Sequence, residues 1–102
     1  MMLSQNSLNK IKTYVGFAFK AGKCVLGVDN ILNVKRPMLI LYSSDLSENS
    51  AKKAIAHAST ISSQIIKIEN FNAISPREGC KALGVKDKSL ADAIIKQLNI
   101  DN

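Results

Sequence analysis

The sequence predicts one α/β domain with helices on both sides of a small sheet. Three observations lead there. Apolar residues make up 46% of 102 residues, enough for one core in a chain of single-domain length. Hydrophobic spacing switches repeatedly between the three-and-four pattern of helices and the short apolar runs of strands. The switching is regular from end to end, and such alternation builds a layered α/β domain. No linker, low-complexity tract or internal repeat divides residues 1–102.

Leu8, Ile11, Val15, Ala18 and Phe19 mark an amphipathic helix, with Ser4 or Ser7 as cap and Gly22 as stop. Its other face carries Lys10, Lys12, Tyr14 and Lys20. Lys23 to Leu26 is short, apolar and strand-compatible. After Gly27, Asp29 or Asn30 is placed to cap a short helix around Ile31 and Leu32, which Pro37 closes. Pro37 to Ser43 is a continuous apolar run of strand length, as expected of a central strand buried on both faces. Asp45, with Glu48 three residues on, reads as the capping box of a third helix. The buried stripe predicted for it is Ala51, Ala54, Ile55, Ala58 and Ile61. Gln64 to Ile68 is the next strand. Residues 69–79 are rich in Asn, Ser, Pro and Gly and leave room for at most one helical turn. Cys80 to Val85 reads as the last strand. Ser89 with Asp92 caps a final helix whose apolar face is Leu90, Ala91, Ile94, Ile95 and Leu98.

Composition narrows the function. Aromatics are 5% with no Trp, too few for a stacking surface that holds single-stranded nucleic acid. The longest apolar run, Met38 to Tyr42, is far short of a membrane span. The first residues show neither the basic nor the apolar region of a secretory signal, so a cytoplasmic protein is expected. Cys24 and Cys80 then read as reduced, small apolar residues. One His and no paired Cys/His spacing leave no expected zinc site. There is no phosphate-binding Gly-Lys-Ser/Thr loop and no GxGxxG. His57, between Ala56 and Ala58, has no local partner that would make it a general base. No enzyme, cofactor or small-molecule substrate is expected.

Charge is the informative quantity. Fourteen Lys and Arg against eight Asp and Glu give a net +6. Residues 1–36 hold six cations against Asp29 alone, a net of +5. Such asymmetry predicts one basic face and an anionic partner. The segment Lys20 to Arg36 adds a Gly turn, a helix start and Asn side chains beside those cations. Two readings fit it. One is ordinary capping with solvated charges; the other is phosphate and base contact.

Phe19-Lys20-Ala21-Gly22-Lys23, then Gly27, then Leu39 through Lys53 with its strand–Ser44-Asp45–helix passage, resemble the ribosomal protein L-seven-Ae family of kink-turn RNA binders. The resemblance is nearest to its small bacterial YlxQ-like branch and covers nearly the whole chain. It implies a three-layer α/β/α sandwich with a small four-stranded mixed sheet. It also implies an RNA site that starts at the Gly after the first strand and runs into the next helix. The matching positions are Gly27, Asp29, Asn30 and Asn33. Asp29 stands where the family has Asn, Asn30 where it has Glu, and Asn33 where it has Lys, with Lys35 or Arg36 as candidate replacement cation. The family's second contact loop corresponds to Ser75 through Gly79, where Arg77 suits phosphate or guanine.

The expectation is therefore a non-catalytic, monomeric RNA-binding protein for structured RNA, such as a kinked stem in ribosomal RNA. Lys20, Lys23, Lys35 and Arg36 would meet phosphates, Gly27 would admit the backbone, Asn30 and Asn33 would reach bases, Arg77 would meet phosphate or guanine, and Asp29 would repel a phosphate facing it. The alternative is a protein-interaction module of the same fold that has lost kink-turn binding, motivated by the departures at Asp29, Asn30 and Asn33.

Overall fold

In the computed structural model, which describes residues 2–101, the chain runs α1 (Gln5–Lys20), β1 (Cys24–Leu26), α2 (Val28–Leu32), β2 (Leu39–Ser43), α3 (Glu48–Thr60), β3 (Ile65–Ile68), a 3-10 turn (Phe71–Ala73), β4 (Ala82–Val85) and α4 (Lys88–Asp101). Met1 and Asn102, the ends of the expected domain, lie outside the described residues.

The four strands form one sheet in the order β1-β4-β2-β3. β1 and β2 both pair antiparallel with β4, while β2 and β3 pair parallel. β2 is thus interior, and four of its five residues are buried. The mixed sheet follows from the connections: α3 returns the chain to the same end for the parallel partner, as a parallel pair requires.

Strand alternation divides the core in two. Leu39, Leu41, Leu83, Val85 and Ile68 face α1 and α4, which contribute Leu8, Ile11, Val15, Ala18, Ala91, Ile94 and Leu98. Ile40 and Ala82 face the other way, with Ile31 of α2 and Ala58 and Ile61 at the end of α3. The molecule is therefore an α/β/α sandwich, α1 and α4 on one face and α2 and α3 on the other. Between α1 and α4 the buried Gln97 Nε2 donates to the buried Ser7 Oγ at 2.9 Å. Ser7 is thereby an interhelical acceptor, and Ser4 caps α1, its Oγ accepting from the Ser7 amide at 3.2 Å.

α1 stops as the glycine predicted. Lys23 N–H donates to Ala18 O at 2.8 Å and Gly22 N–H to Phe19 O at 3.1 Å, with Gly22 at φ +71°. This pair of bonds is a Schellman ending. α3 closes the same way, Ser63 N–H to Ala58 O and Ser62 N–H to Ser59 O, with Ser62 at φ +54° and no glycine to advertise it.

Several expectations are corrected. α3 is capped by Ser47, whose Oγ accepts from Ser50 N–H at 3.2 Å. Asp45 is taken instead by Ser43 Oγ, which donates to it, and by Lys81 Nζ at 2.6 Å. α4 begins at Lys88, and Asp87 Oδ1 accepts from Leu90 N–H at 2.9 Å, so Asp87 replaces Ser89 as cap. Ile55 is 46% exposed, because the buried line of α3 is the narrow set Ala54, Ala58 and Ile61. α2 ends at Leu32, five residues before Pro37, and neither Asp29 nor Asn30 caps it.

Candidate functional site

Gly27 leaves β1 at φ +87°, ψ +150°, a conformation essentially reserved for glycine. Its amide donates to Ala82 O at 2.9 Å. That bond extends the β1–β4 ladder to Ala82, the first residue of β4. α2 has five residues and one fully buried anchor, Ile31. Asp29, Asn30 and Asn33 are left exposed. So short a helix sums few peptide dipoles. Asn30 Nδ2 donates to Leu26 O at 2.8 Å. One N–H of the side chain expected to read bases is thus committed to bracing the Gly27 turn.

The loop before β4 lies at this same end of the sheet. Ser75 Oγ accepts from Arg77 N–H at 3.3 Å and donates to Arg77 O at 2.7 Å, tightening the loop. The Arg77 guanidinium stands 5.5 Å from the centroid of the Phe19 ring, within cation–π range. Phe19 is in the last turn of α1, so the helix gives Arg77 a platform. An open cavity of about 530 Å³ is lined by Asn72, Ser75, Arg77, Glu78, Gly79 and Lys81. Lys81 is engaged by Asp45. Lys81 and then Ser43 hold the Asp45 carboxyl below its ordinary range. That contribution is present above the ordinary carboxylate range and is lost as pH falls through the lowered value.

Lys23, Lys35 and Arg36 lie at the opposite end of β1. Lys86 N–H donates to Lys23 O at 2.8 Å, which sets Lys86 beside Lys23. His57 Nε2 lies 2.7 Å from Val34 O and ties α3 to the segment carrying Lys35 and Arg36. Lys23, Val34, Lys35, Arg36, Pro37 and Lys86 together line a groove of about 480 Å³. Lys20 is exposed in the last turn of α1 and lines neither space. Lys10 and Lys12, two residues apart, are turned from one another by about 200° around α1 and cannot share its face. The basic segment is therefore divided: Gly27, Asp29 and Asn30 lie at the turn, Asn33 closes α2 next to Val34 of the groove, Lys23, Lys35 and Arg36 line the groove, Arg77 lies over Phe19, and Lys20 stands apart. Lys86 was missed by the sequence reading. Only the antiparallel β1–β4 pairing brings it to Lys23.

Cys24 and Cys80 are both half-buried and pack against the α1–α4 core. Burial, then the neighbouring Cys80, pushes the Cys24 thiol up from about 9.0 to about 11, against a smaller opposing effect of Lys86. The neutral thiol is thus the favoured form at pH 7, and Cys24 is a poor nucleophile there. Its stabilising contribution is complete below its ordinary value and is lost as pH rises through about 11. In a Cys80→Ala variant, which keeps the larger effect of burial, iodoacetamide labelling of folded Cys24 is expected to keep accelerating beyond pH 9, with a plateau near pH 9 only after unfolding. No group of three or more His, Cys, Asp or Glu among the described residues is placed to hold a metal ion. No described helix is long and apolar enough to cross a membrane.

No family model and no curated protein matches the chain. Among solved structures it is similar to a protein of unknown function from Bacillus halodurans C, with a TM-score of 0.74 and 19% identity over 87% of this chain and 96% of that one. At that identity the likeness is one of fold.

Proposed function

We propose that this chain is a non-catalytic RNA-binding protein of the L-seven-Ae kind, which takes structured, kinked RNA at the Gly27 turn. One observation carries the reading: Gly27 pairs with Ala82, the first residue of β4, so the Gly-only turn and the end of the loop that carries Arg77 emerge at one end of the sheet. The turn has open space above it, since a Cβ at Gly27 would find nothing within 4 Å. A sugar–phosphate backbone can therefore approach the main chain. Arg77 supplies a planar donor for phosphate or a guanine edge, and Asn33 and the uncommitted part of the Asn30 amide supply donors and acceptors for bases.

A gel shift with a kink-turn RNA against a straight duplex of equal length tests the proposal. Tighter binding of the kinked RNA is the expected result. Equal affinity would favour the second reading, a protein-interaction module of the same fold. That reading draws on the Asn30 bond to Leu26 and on exposed Asp29, whose charge repels phosphate. If it is right, Asp29→Asn, Asn30→Glu and Asn33→Lys together should create a preference for the kink that the parent chain lacks.

A further inference from the structure

We infer that the groove of Lys23, Lys35, Arg36 and Lys86 is a second RNA contact, a sequence-independent clamp on the backbone of a duplex flanking the kink. The inference rests on the RNA reading above and names what the far end of the sheet does for it. Three separate chain segments contribute its four cations, and no acid lines the groove. The ion pairs among the described residues are Lys52–Glu48, Lys81–Asp45 and Lys88–Asp92, so none of the four is neutralised by an ion pair.

The chemistry selects the ligand. All four cations are exposed, so a small anion would keep its hydration shell and meet only screened charge. A polyanion gains where a small anion does not, because each phosphate neutralised releases condensed counterions. The groove wall holds no aromatic side chain on which an unpaired base could stack; Val34 and Pro37 are its only apolar members. It therefore suits a paired strand presented by its phosphates. Arg36 adds a planar fork that matches phosphate geometry.

Position supplies the second argument. Lys23 and Gly27 bracket β1, four residues apart along an extended strand, which is about 13 Å. One RNA docked at the turn can thus lay a flanking helix across the cations. The His57–Val34 bond holds Lys35 and Arg36 in position without touching the ligand.

The test measures affinity of the full chain for a straight RNA duplex and for a kink-turn RNA across a salt series. Lys35→Ala, Arg36→Ala and Lys86→Ala are made singly and together, with Lys96→Ala as a charge-matched control on α4. Each groove variant is expected to weaken binding of both RNAs about 5–10-fold at 0.1 M salt and to reduce the log–log salt slope by about 0.9. Lys96→Ala should change neither. A triple variant with an unchanged slope overturns the clamp, as does an equal loss in Lys96→Ala. Binding to phosphatidylserine-containing vesicles without binding to the duplex overturns it too. Failure of the kink reading looks different: the parent chain then shows no preference for the kink, while the groove variants still lower the duplex slope. The converse, a kink preference with an unchanged slope, removes the clamp and leaves the turn.

Discussion

Replacing Phe71 with alanine is expected to cost about 3–5 kcal/mol, a large share of the roughly 5–15 kcal/mol that stabilises an ordinary domain. Phe71 is the largest fully buried side chain, at 0% exposure, yet it comes from a three-residue 3-10 turn inside a loop. The turn is pinned by Ile74 N–H and Ser75 N–H, which both donate to Phe71 O at 3.0 and 3.1 Å. Its ring enters the core shared with α1, α4, β2 and β4, where neighbours held by regular structure relax only partly into the vacated space. Urea unfolding followed by circular dichroism measures the loss as a lowered midpoint at constant slope. Phe17→Ala is the matched control: Phe17 is 56% exposed, so its removal should stay within about 0.5 kcal/mol. Equal effects for the two would mean that the 3-10 turn is not part of the core.

Gly27→Ala is expected to destabilise the fold by about 1–3 kcal/mol and to remove the preference for kinked RNA. The two readouts have one cause. A Cβ at Gly27 meets no atom within 4 Å, so the cost is the backbone conformation itself, φ +87° and ψ +150°. The chain can relieve it by abandoning that conformation, which strains the Gly27–Ala82 and Asn30–Leu26 bonds. The turn would then no longer present its backbone to RNA. Binding to a straight duplex through the far groove should survive in the folded variant. A Gly27→Ala protein that is as stable as its parent and still prefers the kink would remove the turn from the proposed site.

Local chemistry made the order of elements legible. The apolar spacing of α1 and α4, the continuous run of β2 and the breakers around residues 69–79 each state their structure in a few neighbouring residues. The caps were harder, because this chain offers several competent residues within each short window. Asp45 and Ser47 compete before α3, and Asp87 and Ser89 before α4. The first choice is settled by Lys81, which engages Asp45 from 36 residues away. Ile55 was misplaced because α3 buries a narrow line of small residues against α2, too narrow to reach its neighbour around the helix.

The site divides along the same line. The sequence by itself determined which residues carry positive charge, where glycine is available for an abrupt turn, and that +5 of the +6 falls in residues 1–36. Tertiary structure decided what those charges do. Counting along the chain put the cations and the Gly27 turn in one segment, but β1 carries Lys23 and Gly27 to opposite ends of the sheet. The same pairing adds Lys86 from the far end of the sequence and bonds Gly27 to Ala82, where the loop of Arg77 enters β4. The physical reason is that helix and strand periodicity are properties of neighbours in sequence, whereas a charged groove is a property of neighbours in space. Here the antiparallel register of β1 with β4 brings Lys86 to Lys23.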